Sequence, residues 1–561
     1  MYFHICEYNT KKGYMDRTAG WGPAEPRRTG ASEVVLIANG NVKQHTNRAN
    51  WSAQAEMEGK LSRAFAEEGW ATTRGHALDP ELGHGFIWNQ RMGIDVFNAV
   101  DPEARLVVAV GVWQFSQNIL PGLRNHRGPI LTVANWSGRW PGLVGLLNLN
   151  ACLVKAGVPY STIWSESYDD EYFVRGLRGW LEGGAIDHDA SHVRPFERSG
   201  LAREDRELGT SLARGLRARK AIIGVFDEGC MGMYNAIVDD ELLHPLGVYK
   251  ERFSQSALVA AMRLVPDAEA RAVRAWLEAR GMRFLTGPDP SEDLTDDQIC
   301  EQCKMYVAAV RMAAEFGCDA IGIQYSSGLK DMTPASDLAE GLMNNPDRPP
   351  VSGGPGGGIL YEGQALPHFN EADECAGIDM LVNDRVWTAM GLDPSTTLHD
   401  VRWGERFSDE RLDEFVWTFM ISGAVPASHF ARGYAEALSF RQPPVSFRLG
   451  GGTLTGVSKP GQIVWSRVFI EGGELHADIG RGAAVELPAA ETERRRRATT
   501  PQWPLMHAVL RGVTRDQFMA RHRANHVLVS YAPDAASADR ALAVKSAMLD
   551  ELGIRVHLCG I

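Results

Sequence analysis

Long apolar runs are missing from this 561-residue sequence; the longest, Leu106 to Trp113, falls far short of the roughly 20 residues that span a bilayer. No membrane partner is therefore expected. A basic excess is missing as well: 58 Lys and Arg against 70 Asp and Glu leave a net charge of −12, and no cationic surface invites nucleic acid. Cysteine is scarce, with eight in the chain, too few for a disulfide framework. Reduced thiols in a cytoplasmic protein fit better. Met1 to Thr10 shows no basic stretch followed by an apolar core, so no secretory leader is expected. What remains is an acidic, enzyme-sized globular chain whose length predicts about three or four domains.

Short β-rich runs alternate with helical periodicity from Glu33 to Trp164. Val34–Ala38, Leu106–Trp113 and Ile130–Ala134 read as buried parallel strands, because consecutive β-formers suit a sheet covered on both faces. Asn50 is placed to cap a helix whose Met57, Leu61, Ala64 and Phe65 share a face, and Gly69 to end it. Pro141 opens another helix, stopped by Gly157. A polar stretch from Gly183 to Arg219 reads as a crossing segment. A second α/β unit then follows, with strands at Ala221–Phe226 and Ala320–Tyr325 and helices at Ser254–Leu264, Ala268–Arg280 and after a Thr295–Gln298 capping box. Beyond Asp400 the pattern becomes antiparallel. Val445–Leu449, Gln462–Ile470 and Glu474–Ile479 read as strands, with a turn at Gly472–Gly473 and His476 and Asp478 on a solvated face. The fold expected is α/β: two doubly wound, Rossmann-like α/β domains (1–185 and 186–385) and a C-terminal β-rich domain (386–561) closed by a helix near Ala538–Leu552.

Several motifs promise less than their letters suggest. Cys300 and Cys303 have redox spacing, yet Ile299, Cys303, Val307 and Val310 fall on one helical face, so a structural role is expected. The Arg494–Arg497 run reads as a solvated loop or an inter-subunit contact. Gly353 to Gly358 matches no phosphate-binding signature and reads as a mobile or ligand-facing loop.

Three later segments carry chemistry. Phe369 to Asp379 crowds carboxylates at the start of an apolar helix, and Leu398 to Trp403 sets Asp400 between apolar residues at a strand end. Trp503 to Val509 supplies His507 and is followed by the polar Arg521–Tyr531 stretch. Taken singly, Glu371 and Glu374 suit a helix N-terminus, Asp400 a turn and His507 a core. Together, carboxylates from two segments and an imidazole from a third form a mixed oxygen–nitrogen set suited to a divalent cation.

Glu371-Ala-Asp-Glu-Cys-Ala-Gly377, Asp400-Val-Arg-Trp403 and Trp503-Pro-Leu-Met-His507 resemble, in chain order, the metal-site segments of the L-fucose isomerase family. Similarity extends to Val112–Ser116, Cys230–Tyr234, Gly322–Tyr325 and Asp337–Asn345. The resemblance implies a Mn²⁺-dependent aldose–ketose isomerase of carbohydrate metabolism working through an enediol. Glu371 and Asp400 would be both metal ligands and catalytic carboxylates, and His507 the imidazole ligand. Trp113, Gln324, Arg402, Trp503, Asn525 and His526 would contact the sugar. It implies a trimeric or hexameric homo-oligomer as well, with Trp113 reaching a neighbouring subunit's pocket. Asn39 to His45 stands where the family has an arginine-rich substrate segment, so the substrate is read as a deoxy- or modified sugar, sulfonated hexoses included. The alternatives are a non-catalytic sugar-binding protein on the same fold, or an epimerase or lyase sharing the enediolate chemistry.

Overall fold

The structure is a computed structural model and describes residues 26–229, 231–354 and 356–561. Expectations resting on Met1–Thr10, Cys230 and Pro355 lie outside the described residues. The first sheet contains β1 (Glu33–Ile37), β2 (Ala71–Arg74), β3 (Arg105–Val110), β4 (Ile130–Asn135) and β5 (Ser161–Ser165), all parallel, in the order β2-β1-β3-β4-β5. Val34–Ile37 and Leu106–Val110 are buried throughout, as strands covered on both faces by helices must be. Strand order reverses between β1 and β3. Their carboxyl ends therefore flank a crevice where open α/β sheets bind ligands.

The Gln44–Glu67 helix buries Met57, Leu61, Ala64 and Phe65, the face its periodicity marks. It begins at Gln44 with Lys43 in the cap position, so Asn50 lies inside it and caps nothing. No breaker stands between Gln44 and Asn50, and propagation costs less than starting a helix afresh. Pro141 occupies the cap position of the Gly142–Ala156 helix, which Gly157 ends with φ 67°.

After β6 (Val193–Pro195), the second unit holds β7 (Ala221–Phe226), β8 (Val248–Phe253), the short β9 (Arg283–Phe284) and β10 (Ala320–Ile323). Its parallel sheet runs β10-β7-β8. The Thr295 capping box forms, and the helix it starts, Asp296–Glu315, buries Ile299, Cys303, Val307 and Val310. Burial pushes the Cys303 thiol up to about 12, which leaves it an unreactive packing group.

The C-terminal region carries β11 (Thr396–Ser408), β12 (Asp413–Met420), β13 (Leu438–Ser439), β14 (Gly461–Glu471), β15 (Glu474–Ala484), β16 (Leu505–Leu510), β17 (His526–Ala532) and β18 (Arg555–Cys559). Pairing runs β14-β17-β11-β12-β16-β15, and β15 pairs back to β14, so six antiparallel strands close a ring. β18 and then β6 extend it beyond β15, so residues 193–195 belong to this sheet although they lie in the 186–385 stretch. β9 and β13 pair with each other.

Three local expectations are corrected. Val445–Leu449 is irregular, its chain turned by Pro443 and Pro444 upstream and Gly450 after it. His476 and Asp478 are buried, because β18 lies alongside and Arg521 closes on Asp478 with two bonds of 2.7 and 2.8 Å. Arg494–Arg497 ends a helix, Ala489–Arg497, in which Arg495 is fully buried and donates to Glu491 and to the Val416 carbonyl. Among the described residues, no helix is long and apolar enough to cross a membrane.

Candidate metal and sugar site

Glu371 and Ala372 both hold left-handed backbone, with φ 58° and 52°. Two consecutive non-glycine residues there cost on the order of 1–3 kcal/mol each. The turn is held from both sides: Asn370 donates to Glu340 at 2.8 Å, and Asp373 caps the Glu374–Ala389 helix by accepting from the Ala376 N–H at 3.0 Å. Asp373 does more than cap. It takes Arg467 through bonds of 2.6 and 3.0 Å and accepts from His526 Nδ1 at 2.8 Å, all three side chains buried. Burial works against its charge, but the Arg467 guanidinium and His526 outweigh burial and hold the carboxyl well below the usual range.

An ionised carboxylate only accepts, so His526 Nδ1 carries the proton in this bond and the ring's Nε2 is presented to the other side. Nε2 is buried without a hydrogen-bond partner, 3.6 Å from Glu371 Oε2 and 3.6 Å from Asp400 Oδ1. Strand register explains the meeting: Asp400 on β11 stands directly opposite His526 on β17. Asn525 adds a bond of 3.2 Å to Asp400 Oδ1. Burial, with Asp400, Asp373 and Asp337 nearby, pushes Glu371 up to about 8, against the opposing pull of His526. Asp400 is raised for the same first reason. Burial disfavours charge on His526, but the Asp373 bond and the surrounding carboxylates prevail and raise it.

His507 does not join these side chains. His507 lies on β16, opposite Thr418 of β12, and bonds Thr492 Oγ1 at 3.2 Å. β12 separates it from β11, which puts it roughly 10 Å across the sheet from Asp400's strand. The imidazole beside the two carboxylates is His526, expected above as a sugar contact.

Among the described residues, no group of three or more His, Cys, Asp or Glu is gathered closely enough to hold a metal ion as it stands. Glu371, Asp400 and His526 nonetheless fit a divalent cation by their chemistry: two oxygen donors, one unpartnered imidazole nitrogen, and a carboxylate on the far ring nitrogen that fixes the tautomer as second-layer partners of metal-bound histidines do. The protons that Glu371 and His526 hold so tightly are those a cation would displace.

Both carboxylates line a cavity of about 400 Å³, within the range of small-molecule sites. Trp113, Gln324, Arg402 and Trp503, read above as sugar contacts, line it as well. Trp113 lines the cavity of its own chain, because β3 ends at the crevice beside β1. Sequence reading passed over Trp140, Lys43 and the acids Asp337 and Glu340, all on the same walls. Asp337 and Glu340 are buried in the first turn of the Asp337–Met343 helix, and burial raises Asp337 to about 7. Lys43 is driven down to about 7 by burial and by Lys330. An acidic pair three residues apart was the available signal for the first two; nothing local marks Lys43.

No protein-family model matches the chain, and no curated protein matches it.

Proposed function

We propose that the protein is a Mn²⁺-dependent aldose–ketose isomerase acting on a deoxy- or modified sugar. One observation carries the reading: the unpartnered His526 Nε2 lies 3.6 Å from each of Glu371 and Asp400, two carboxylates that line a cavity with three tryptophans. Glu371, Asp400 and His526 would hold the cation, which when bound would polarise the sugar's carbonyl and stabilise negative charge developing on its oxygens. Trp113, Trp140 and Trp503 offer apolar faces to the C–H face of a sugar. One of the two carboxylates, Glu371 or Asp400, would take the proton from C2 and return it to C1. Asp400 is held in place by Asn525, and Asp373 holds the imidazole. A cytoplasmic, homo-oligomeric enzyme belongs to the same proposal and rests on the motif resemblance.

The test is an aldose panel assayed for ketose with Mn²⁺, covering fucose, arabinose, altrose, rhamnose, glucose and sulfoquinovose. One aldose should be converted, and His526→Ala should lose Mn²⁺ and turnover by about 100-fold or more. His507→Ala should keep both within a few-fold. Equal Mn²⁺ retention in the two variants, with activity in both, would overturn the ligand assignment; no ketose from any aldose would overturn the isomerase reading.

A further inference from the structure

Arg402 is 4% exposed and lines the cavity, yet it forms no ion pair with any described residue. Among the described residues its Nη2 donates to the Arg139 carbonyl at 2.9 Å, and its Nε is buried without a partner. β11 and β12 slip register between Val401 and Trp403, so Arg402 is the extra residue of a bulge. Bulges of this kind re-aim a side chain toward a site. A buried guanidinium without a counterion is expensive, and such charges are normally paired. Asp400, two residues along, favours the charge of Arg402 from beyond ion-pair distance, while its Oδ1 accepts from Asn525 and lies 3.6 Å from His526 Nε2. Once a divalent cation takes Glu371 and Asp400, their charge is cancelled and Arg402 still lacks a partner.

The same wall has a second feature of the same sign. The Gly142–Ala156 helix starts there, with Pro141 and Val144 on the cavity, no side-chain cap and no acid in its first turn. The Gln44–Glu67 helix does likewise, with Lys43 and Thr46 on the cavity, no side-chain cap and no acid in its first turn. Three other helices instead carry a carboxylate cap, from Asp170, Asp373 and Asp534. Uncapped N-termini carry positive partial charge and free N–H groups, and favour an anion.

We propose that this wall is an anion subsite, in which Arg402, assisted by Arg139 and the N-terminus of the Gly142–Ala156 helix, binds a sulfonate, phosphate or carboxylate carried by the sugar. The word sugar rests on the isomerase reading; the anion subsite does not require turnover. Arg402 would then be a specificity-determining residue, excluding neutral sugars by the cost of leaving its charge unpaired. The carbonyl end of the sugar would lie at Glu371 and Asp400, and the anionic end against the first α/β unit.

Reduced sugars separate the two ideas, because an alditol has no carbonyl to isomerise. Calorimetric titration of the Mn²⁺-supplemented protein would use D-glucitol, D-glucitol 6-phosphate, 6-deoxy-6-sulfo-D-glucitol and L-gulonate. At least one anionic compound should bind ten-fold or more tighter than D-glucitol. Arg402→Gln should remove that preference while leaving Mn²⁺ content within about three-fold. If Arg402→Gln does not fold, Arg139→Gln should weaken the preference at least three-fold, and sodium sulfate should compete with the anionic alditol on the wild type. The proposal is overturned if no anionic alditol outbinds D-glucitol, if Arg402→Gln keeps the preference, or if sodium sulfate alone binds tighter than every anionic alditol, which would mean a site for a free inorganic anion. Preference through Arg402 without ketose formation from any aldose would sink the isomerase reading and leave the subsite standing.

Discussion

The two walls of the cavity are built from opposite electrostatic material. The wall from the first α/β unit brings Lys43, Arg139 and two uncapped helix N-termini, with the bulged Arg402 of β11 directed to the same side. The facing wall, from the second unit and the strand ring, brings Glu371, Asp400, Asp337 and Glu340. Among the described residues no ion pair joins the two walls across the cavity. The proposed cation suits the acidic side and the proposed anionic sugar the other. Each wall has a different support. The acidic wall is braced by a buried chain running Arg467–Asp373–His526, whereas the cationic wall relies on strand ends and helix starts.

Breaking the brace should have the largest effect. Asp373→Ala strands buried Arg467, removes a helix cap and frees His526, and should cost about 3–5 kcal/mol in urea unfolding. The sign with pH follows from the depressed carboxyl: the Asp373 contribution is present above its unfolded pKa of about 3.9 and is lost as pH falls below it. The gap between wild type and Asp373→Ala should therefore narrow in acid. A gap independent of pH would show that the charge of Asp373 does not matter.

A change to the other wall should act on binding alone. Trp113→Ala should weaken sugar binding about ten-fold, the size of one lost aromatic face, with Mn²⁺ content unchanged. Since Trp113 and Glu371 share one chain's cavity, mixing Trp113→Ala with Glu371→Ala subunits should restore no activity. Recovered activity in mixtures that exchange subunits would move Trp113 to a neighbour's site.

The smallest effect is a gain. Glu371 in the folded protein keeps its proton to about pH 8, so its contribution to metal-free stability is complete below about pH 4.3 and disappears as pH rises through 8. Glu371→Gln retains the neutral form. Its Tm should match wild type near pH 4 and exceed it by about 2–4 °C at pH 9 without metal. Mn²⁺ should reverse the order by stabilising wild type only. Thermal scans showing no pH-dependent gap would contradict the buried, acid-crowded environment of Glu371.

Much of the layered fold was legible from period and punctuation. β1, β3, β4, β7 and β14 lie within a residue or a few of where apolar runs put them, and Gly69, Gly157 and the Thr295 capping box punctuate as expected. Errors arose where tertiary neighbours override local pattern. Alternation at Leu475–Ile479 is that of a half-solvated strand, but β18 and Arg521 cover its polar face. Four arginines in a row look solvent-bound, but Arg495 finds carbonyl acceptors inside.

The sequence by itself determined the α/β order, the strand-rich C-terminal third, the structural role of Cys303, and which segments carry Glu371 and Asp400. Each follows from local residues, through periodicity, caps and the cost of burying a thiol among apolar neighbours. Tertiary structure alone set His526, and not His507, beside Asp400 and brought Trp113 into the cavity of its own chain. A histidine becomes a partner of Asp400 through strand register, and β11 pairs with β17, not with β16. That pairing joins residues more than a hundred positions apart, and no local propensity records it.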